Sequence, residues 1–407
     1  MGENYGNLIN GVWRPAGTGQ GFVIVDAEGE ELERRMRAET SDLEEALAVL
    51  EGGCQAWWEQ GAGGRGEILD SLDLSGGIQR CAAGVAARIG LSLDEAEGLL
   101  SGDLEELETA EVDTATAPGV ALVRCAPTAL LSGLASQLVQ TLERGWSVLL
   151  LADPELPWLA ELLADSWLRA GAPADALALL HDDGISSARA ALSSGRLSAA
   201  SICDLESRLG VFEAKLEIRE GVGSGLGAAR GGGLASSFYG IPLRDATSVV
   251  TSDCDPVEAA VAVVEAAFGS ALALGGERNA SIGRVVCHER QFSAFTGALL
   301  EAFDALEQRD GPLIRPLLPK LNGWMTELSQ SVGGEGGTTL RGGASDSNEK
   351  GARGKMGRSV FTNLGPNWSF ASAGRPAPAI ALLRTPDDEK AQKLALACDA
   401  GPAQAPE

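Results

Sequence analysis

Short apolar runs alternate with amphipathic segments along the middle of the chain, and glycine or proline lies close to the start of each run. Such runs are typical of buried strands, and they lie at 120–123, 147–151 and 177–180. After the first run, leucine recurs at every fourth residue from 130 to 142, which predicts one face of a helix. Pro157 begins a second helical segment. Because strands separated by helices of this length pair in parallel, the pattern predicts a doubly wound parallel sheet.

The second half of the chain repeats this alternation. Strand-like segments at 247–250 and 282–286 are followed by helical segments at 257–268 and 292–306. Two glycine-rich segments, 221–233 and 333–357, are typical of loops. The pattern therefore predicts an α/β protein with two doubly wound, Rossmann-like domains and mostly parallel sheets.

Length and charge limit the classes of function. A chain of 407 residues is long enough for two or more hydrophobic cores. Its 57 acidic and 32 basic residues give a formal net charge of −25, which disfavours nucleic acid and anionic membranes as partners. No apolar run approaches the ~18 residues of a membrane span, and the first residues lack the basic and apolar regions of a secretory signal. We therefore expect an acidic, cytoplasmic protein.

The cysteines and histidines predict no metal centre. The seven cysteines are scattered and never have C-x-x-C spacing, which is typical of reduced thiols rather than of a disulfide framework or a zinc site. His181 and His288 are the only histidines, so the sequence excludes a histidine-based metal cluster.

Several short motifs occur in the order in which aldehyde dehydrogenases have them. They are Leu-Ile-Asn-Gly-Val-Trp at 8–13, the tryptophan at 57 with Arg-Gly-Glu-Ile-Leu at 65–69, Ala-Pro-Gly-Val at 117–120, Ala-Gly-Ala-Pro at 170–173, Gly-Pro-Leu-Ile at 311–314 and Arg-Gly-Gly at 341–343. Each motif is weak alone, but the ordered set resembles that superfamily over almost the whole chain. The resemblance implies a cofactor-domain-like region at 1–240, with 221–233 as an insertion, and a catalytic-domain-like region at 241–407.

At the positions where this family carries out its chemistry, the chain has residues that cannot do so. The resemblance places the nucleophilic cysteine five residues before Arg284, where the chain has Asn279, and an amide has no nucleophilic group. The family's Pro-Trp-Asn turn becomes Pro-Thr-Ala, so Ala129 replaces the amide that donates to the developing oxyanion. The general base falls near Ile241.

The positions that hold the cofactor in the family have also changed. Leu151 stands where a lysine holds the ribose, and Gly374 stands where a glutamate does so. At the turn that contacts the cofactor pyrophosphate in the family, this chain has Glu206, which would put negative charge beside the phosphate. We therefore expect no bound cofactor, whereas a remodelled active site would still imply NAD(P).

Two other motifs offer alternatives. Cys287, Cys203 or Cys254 could replace the missing nucleophile, but free cysteines are usually buried, and neighbours such as Cys287 and His288 lie on opposite faces of a strand. The segment 223–228 fits a G-x-G-x-x-A dinucleotide fingerprint, yet more glycines follow it instead of a helical pattern. An insertion is the favoured interpretation of that segment.

These replacements predict a non-catalytic pseudoenzyme that acts as a binding, scaffolding or regulatory subunit. The alternative is an NAD(P)-dependent oxidoreductase that acts on an aldehyde through a remodelled site. The resemblance also predicts that the family's closing segment is lacking and that 112–116 belongs to a hairpin this segment would complete. We therefore expect a monomer or weak homodimer, and as partner a full-length aldehyde dehydrogenase relative or another protein.

Overall fold

The computed structural model describes residues 6–16, 20–105, 115, 117–181, 186–203, 237–240, 246–269, 282–311, 313–314, 321–334, 336–342, 356–364 and 378–400. The chain divides into two compact units, Met1–Pro242 and Leu243–Glu407, called below the N-terminal and C-terminal units. This boundary lies two residues after the one expected from the sequence. The cofactor-domain-like and catalytic-domain-like roles of the two regions stay predictions.

The N-terminal unit is built on a mainly parallel sheet. Its strands are β1 (Asn7–Ile9), β2 (Val12–Arg14), β3 (Gly21–Val25), β4 (Glu31–Met36), β5 (Val120–Cys125), β6 (Ser147–Ala152), β7 (Leu177–His181), β8 (Ala199–Cys203) and β9 (Ser237–Gly240). Its helices are α1 (Thr40–Glu59), α2 (Gly61–Asp70), α3 (Ser75–Ile89), α4 (Leu93–Glu105), α5 (Leu130–Glu143), α6 (Pro157–Arg169) and α7 (Ser186–Ser193). Seven strands form the sheet in the order β2-β1-β7-β6-β5-β8-β9, and β3 pairs with β4 separately. Strands β5 to β9 are parallel, as the sequence predicts.

Helices cover both faces of this sheet. Leu149, Leu151 and Leu180 lie in a buried cluster with residues of α1 and α7, such as Leu47 and Ala188. Helices α5 and α6 pack on the same strands, and none of their residues belongs to that cluster, so they cover the opposite face. Because both faces are covered, β5, β6 and β7 are buried along their whole length. This explains why they appear in the sequence as continuous apolar runs.

The C-terminal unit has a second, smaller sheet. Its strands are β10 (Ala246–Val250), β11 (Ile282–His288), β12 (Leu313–Ile314), β13 (Thr338–Arg341), β14 (Met356–Gly357), β15 (Ser359–Thr362) and β16 (Ala379–Thr385), and its helices are α8 (Pro256–Val264), α9 (Glu289–Asp310), α10 (Leu321–Gly334) and α11 (Asp388–Ala400). Five strands form the sheet in the order β10-β11-β16-β15-β13, in which only the β13–β15 pair is antiparallel. Alternate strand positions face different helices. Cys287 and Leu382 pack with α8 and α9, whereas Val286 and Leu383 pack with α10 and α11.

Two residues of the family-like motifs, Trp57 and Arg65, close the end of α5. Trp57 Nε1 donates to the carbonyl of Leu142 at 3.1 Å, and Arg65 Nε donates to the carbonyl of Glu143 at 3.0 Å. Arg65 also donates through Nη1 to the carbonyl of Trp58 at 2.9 Å. The last carbonyls of a helix lack intrahelical partners and carry partial negative charge, which a buried guanidinium compensates. These residues therefore have a structural role in this fold.

Replacement of Arg65 with methionine is expected to lower the free energy of unfolding of the N-terminal unit by about 2–3 kcal/mol, because methionine fills the volume but donates no hydrogen bond. Urea denaturation followed by tryptophan fluorescence measures this, since six of the eight tryptophans lie before residue 243. Arg80→Met is the matched control, because Arg80 is half exposed in its ion pair with Asp165. An equal loss in both variants would contradict the capping role.

Candidate functional site

The carboxyl ends of the parallel strands in the N-terminal unit form the candidate site. In the sheet, β6 and then β7 lie on one side of β5, and β8 and then β9 lie on the other side. The strand order therefore reverses between β5 and β8, and open α/β sheets bind ligands in the crevice beside such a switch point. Ala129 and Leu151, the oxyanion-donor and ribose positions expected from the sequence, follow β5 and lie in β6 respectively.

Ala129 ends a short 3-10 turn, Pro127–Ala129, between β5 and α5, and it is buried. Its methyl group cannot donate a hydrogen bond to an oxyanion. The neighbouring Thr128 is fully buried, and its hydroxyl has no hydrogen-bond partner. Leu130 follows with φ 51° and ψ −157°, a conformation that costs a non-glycine residue about 1–3 kcal/mol. The turn thus combines backbone strain with one polar side chain that the fold leaves unpaired.

The chain's own carboxylate occupies the start of α5. Asp103 of α4 is fully buried and accepts hydrogen bonds from Ser132 N at 2.6 Å and Ser132 Oγ at 2.8 Å. The amino end of a helix attracts an anion, and here Asp103 supplies it. Nothing in the local sequence links Asp103 to Ser132, 29 positions later, so the sequence pattern does not predict this contact.

Leu151 belongs to the hydrophobic core. It is 1% exposed and lies in the cluster that joins the sheet to α1, together with Leu47, Leu122 and Leu180. Its side chain therefore has neither the chemistry nor the exposure to hold a ribose hydroxyl. Just beyond β6, Asp153 lies 3.6 Å from the guanidinium of the buried Arg124.

At the end of β7, a buried group of Arg35, Glu161 and His181 joins three elements. Arg35 Nε donates to Glu161 Oε1 at 2.6 Å, and His181 Nε2 lies 3.0 Å from the same oxygen. Burial opposes ionisation of Glu161, but the hydrogen bonds and charges of His181 and Arg35 hold its pKa below the usual range. An ionised carboxylate only accepts, so the network assigns the imidazole proton to Nε2. The sequence predicts only that His181 lies at the end of a strand, and it does not predict the contact of His181 with Glu161.

The backbone of His181 is held as firmly as its ring. Its N–H donates to Asn7 Oδ1 at 3.0 Å, and its carbonyl accepts from Ala38 N at 2.8 Å. Through these contacts the group joins β4 and the segment after it to β1, α6 and β7. These contacts indicate a structural ion cluster rather than a general base awaiting a substrate, because Glu161 and His181 are both fully buried.

In the C-terminal unit, the polar residues at the strand ends serve as caps. Asp388 accepts from Ser252 N at 2.8 Å and Ser252 Oγ at 2.6 Å, and the hydroxyl bond above all lowers the pKa of Asp388. His288 Nδ1 accepts from Arg290 N at 3.0 Å at the start of α9. Burial raises the pKa of the Cys287 thiol to about 12. Cys287 and His288 therefore do not form a thiolate–imidazole pair.

Apart from Cys203 and Cys254, the remaining candidates lie outside the described residues. These are Asn279, Ile241, Glu206, Gly374 and the whole glycine-rich segment 221–233; of the segment 112–116, only Ala115 is described. Within the described ranges, no group of three or more histidine, cysteine, aspartate or glutamate side chains could hold a metal ion. None of the helices in those ranges is long and apolar enough to cross a membrane.

No protein-family model matches this chain, and no curated protein matches it. Many solved structures do. An NAD-dependent benzaldehyde dehydrogenase from Corynebacterium glutamicum is 16% identical with a TM-score of 0.76, over 98% of this chain and 88% of that one. A betaine aldehyde dehydrogenase from Staphylococcus aureus is 12% identical with a TM-score of 0.77, over 96% and 80%. A succinate-semialdehyde dehydrogenase from Burkholderia pseudomallei is 17% identical with a TM-score of 0.72, over 96% and 82%. At such identities the likeness concerns architecture, and the chain therefore has the fold of the aldehyde dehydrogenases.

Proposed function

We propose that this protein is a divergent member of the aldehyde dehydrogenase superfamily that does not oxidise aldehydes and acts instead as a binding, scaffolding or regulatory subunit. The observation that carries this proposal is the burial of Leu151 in the hydrophobic core, because the resemblance assigns this position to the lysine that holds the cofactor ribose. A polar ligand cannot approach this side chain without opening the packing between the sheet and α1.

Two further contacts support the same conclusion. Ala129 offers a methyl group where the family has an oxyanion donor, and loss of one such donor typically costs ~2.7–4 kcal/mol of transition-state stabilisation. The start of α5 already holds the carboxylate of Asp103, so an external anion would have to displace a buried group with two hydrogen bonds to Ser132. The resemblance assigns Ala129 to stabilisation of the oxyanion and Leu151 to cofactor binding. Because these are different roles, the two replacements favour loss of the activity over a shift in substrate.

The partner we propose for such a subunit is another protein, in the first instance a full-length aldehyde dehydrogenase relative. The formal net charge of −25 makes nucleic acid and anionic membranes unfavourable partners. Complementary basic surface on the partner would speed the encounter.

One observation favours the alternative, an NAD(P)-dependent oxidoreductase with a remodelled site. Thr128 places a buried hydroxyl without a partner directly before Ala129, and a bound ligand could pair with it. The benzaldehyde dehydrogenase that shares the fold is described as NAD-dependent. In this alternative, the Thr128 hydroxyl would replace the oxyanion donor that the family has at the following position, where this chain has Ala129.

Calorimetric titration of the full chain with NAD⁺, NADP⁺ and NADH separates the two functions. We expect no saturable heat for any of them, with an active aldehyde dehydrogenase titrated alongside as positive control. A micromolar dissociation constant would contradict the proposal. If that affinity fell in Thr128→Val, which keeps the shape and removes the hydroxyl, the alternative function would be supported.

A further inference from the structure

Two thiols of the C-terminal unit belong to one hydrophobic cluster. Cys287 is fully buried within β11, and the partly exposed Cys254 packs against the same cluster, which also contains Val250 and Phe295. Neither thiol has a place in the function proposed above. Their shared surroundings therefore call for a separate explanation.

The backbone keeps Cys254 close to the carboxyl end of β11. Strands β10 and β11 are parallel, and Val250 is the register partner of Cys287. Immediately after β10, Cys254 N donates to the carbonyl of Thr251 at 3.3 Å. A four-residue turn of this kind brings its first and last Cα atoms within ~7 Å. Asp255 then accepts from Val257 N at 2.8 Å, which fixes the start of α8 directly after Cys254.

The two thiols differ in reactivity. Burial raises the pKa of Cys287 to about 12, and the neighbouring Cys254 contributes in the same direction. A thiol that is fully buried and protonated reacts slowly with an external oxidant. Cys254 is partly exposed, so a small oxidant can reach it first.

We propose that Cys254 and Cys287 form a reversible intramolecular disulfide when the protein meets hydrogen peroxide. In the first step, the Cys254 sulfur attacks the peroxide, an S–O bond forms, the O–O bond breaks, and water leaves with the thiol proton. In the second step, the Cys287 sulfur attacks the Cys254 sulfur, the S–S bond forms, the S–O bond breaks, and its proton leaves with hydroxide as water. Both thiols are oxidised by one peroxide, and a dithiol reductant reverses the change.

Peptide mapping by mass spectrometry after brief peroxide treatment and alkylation of the full chain tests this proposal. We expect a peptide pair linked through Cys254 and Cys287 that disappears after treatment with dithiothreitol. Cys254→Ser and Cys287→Ala should each abolish the linked pair. Cys54→Ser, which removes another partly exposed thiol, on α1, is the matched control and should leave the pair unchanged.

Cys287→Ala adds a test of the order of events. Without its partner, Cys254 should stop at the sulfenic acid, which dimedone traps as a stable adduct. The proposal is overturned if peroxide links Cys254 to any other cysteine. It is also overturned if Cys254 becomes sulfinic acid in the unsubstituted protein while Cys287 remains free for alkylation. If the Cys287→Ala variant fails to fold, the peptide map of the unsubstituted protein after peroxide treatment decides whether the disulfide forms.

Discussion

Neither the natural sequence nor an Asn279→Cys variant is expected to oxidise aldehydes with NAD⁺ or NADP⁺ at a rate above a heat-treated control. Cysteine at this position restores only the nucleophile. At the positions that the resemblance assigns to the oxyanion donor and the ribose ligand, Ala129 and Leu151 remain buried apolar side chains. Catalytic groups that act as a unit are strongly non-additive, so one restored member recovers little of the ~10⁶-fold or greater acceleration of an enzyme.

Formation of NADH or NADPH, followed through the absorbance of the reduced nicotinamide, measures the rate with aromatic aldehydes, aliphatic aldehydes and dicarboxylic semialdehydes. An active dehydrogenase in the same plate controls for the assay. Labelling of the new thiol shows that the substituted residue is present and accessible. Turnover by Asn279→Cys near that of an ordinary enzyme would mean that the cofactor site is intact and that the proposed function is wrong.

Substitution of Glu161 with alanine is expected to destabilise the N-terminal unit by about 3–5 kcal/mol, the usual cost of removing one partner from a buried ion pair. Glu161 is fully buried, and its removal leaves Arg35 without the carboxylate at 2.6 Å and His181 without its partner at 3.0 Å. Urea denaturation gives the free energy of unfolding. Glu45→Ala is the matched control, because the Arg14–Glu45 ion pair is partly exposed and its loss should cost less than about 1 kcal/mol.

The effect of Glu161 should depend on pH in a defined direction. Because the fold lowers the pKa of Glu161 below its ordinary value of 4.5, ionised Glu161 stabilises the folded state above that pH. This stabilisation is lost as the pH falls through the lower pKa of the folded state. Glu161→Gln, which keeps the volume and removes the charge, should therefore differ most from the natural protein above pH 4.5 and progressively less in acid. A difference that does not change with pH would show that packing, and not charge, accounts for the effect.

The local pattern of apolar residues was sufficient to predict the fold class. Runs such as 147–151 are apolar throughout because both faces of β6 are covered, and this also distinguishes a parallel from an antiparallel sheet. The helical segment predicted to begin at Pro157 corresponds to α6, because proline at the first turn and an apolar face are both local signals. The assignment of Ala129 to the oxyanion-donor position and of Leu151 to the ribose position also rests on the sequence, since the order of the motifs places them there.

The tertiary structure decided how the buried polar groups are paired. Asp103 caps α5 from 29 positions away, Arg65 caps its other end from 78 positions away, and Arg35 meets Glu161 across 126 positions. Periodicity shows which face of an element is buried, because residues three or four apart in a helix, or two apart in a strand, lie on the same face. It carries no information about which buried donor meets which acceptor. That choice depends on contacts between distant segments, and only the folded chain establishes them.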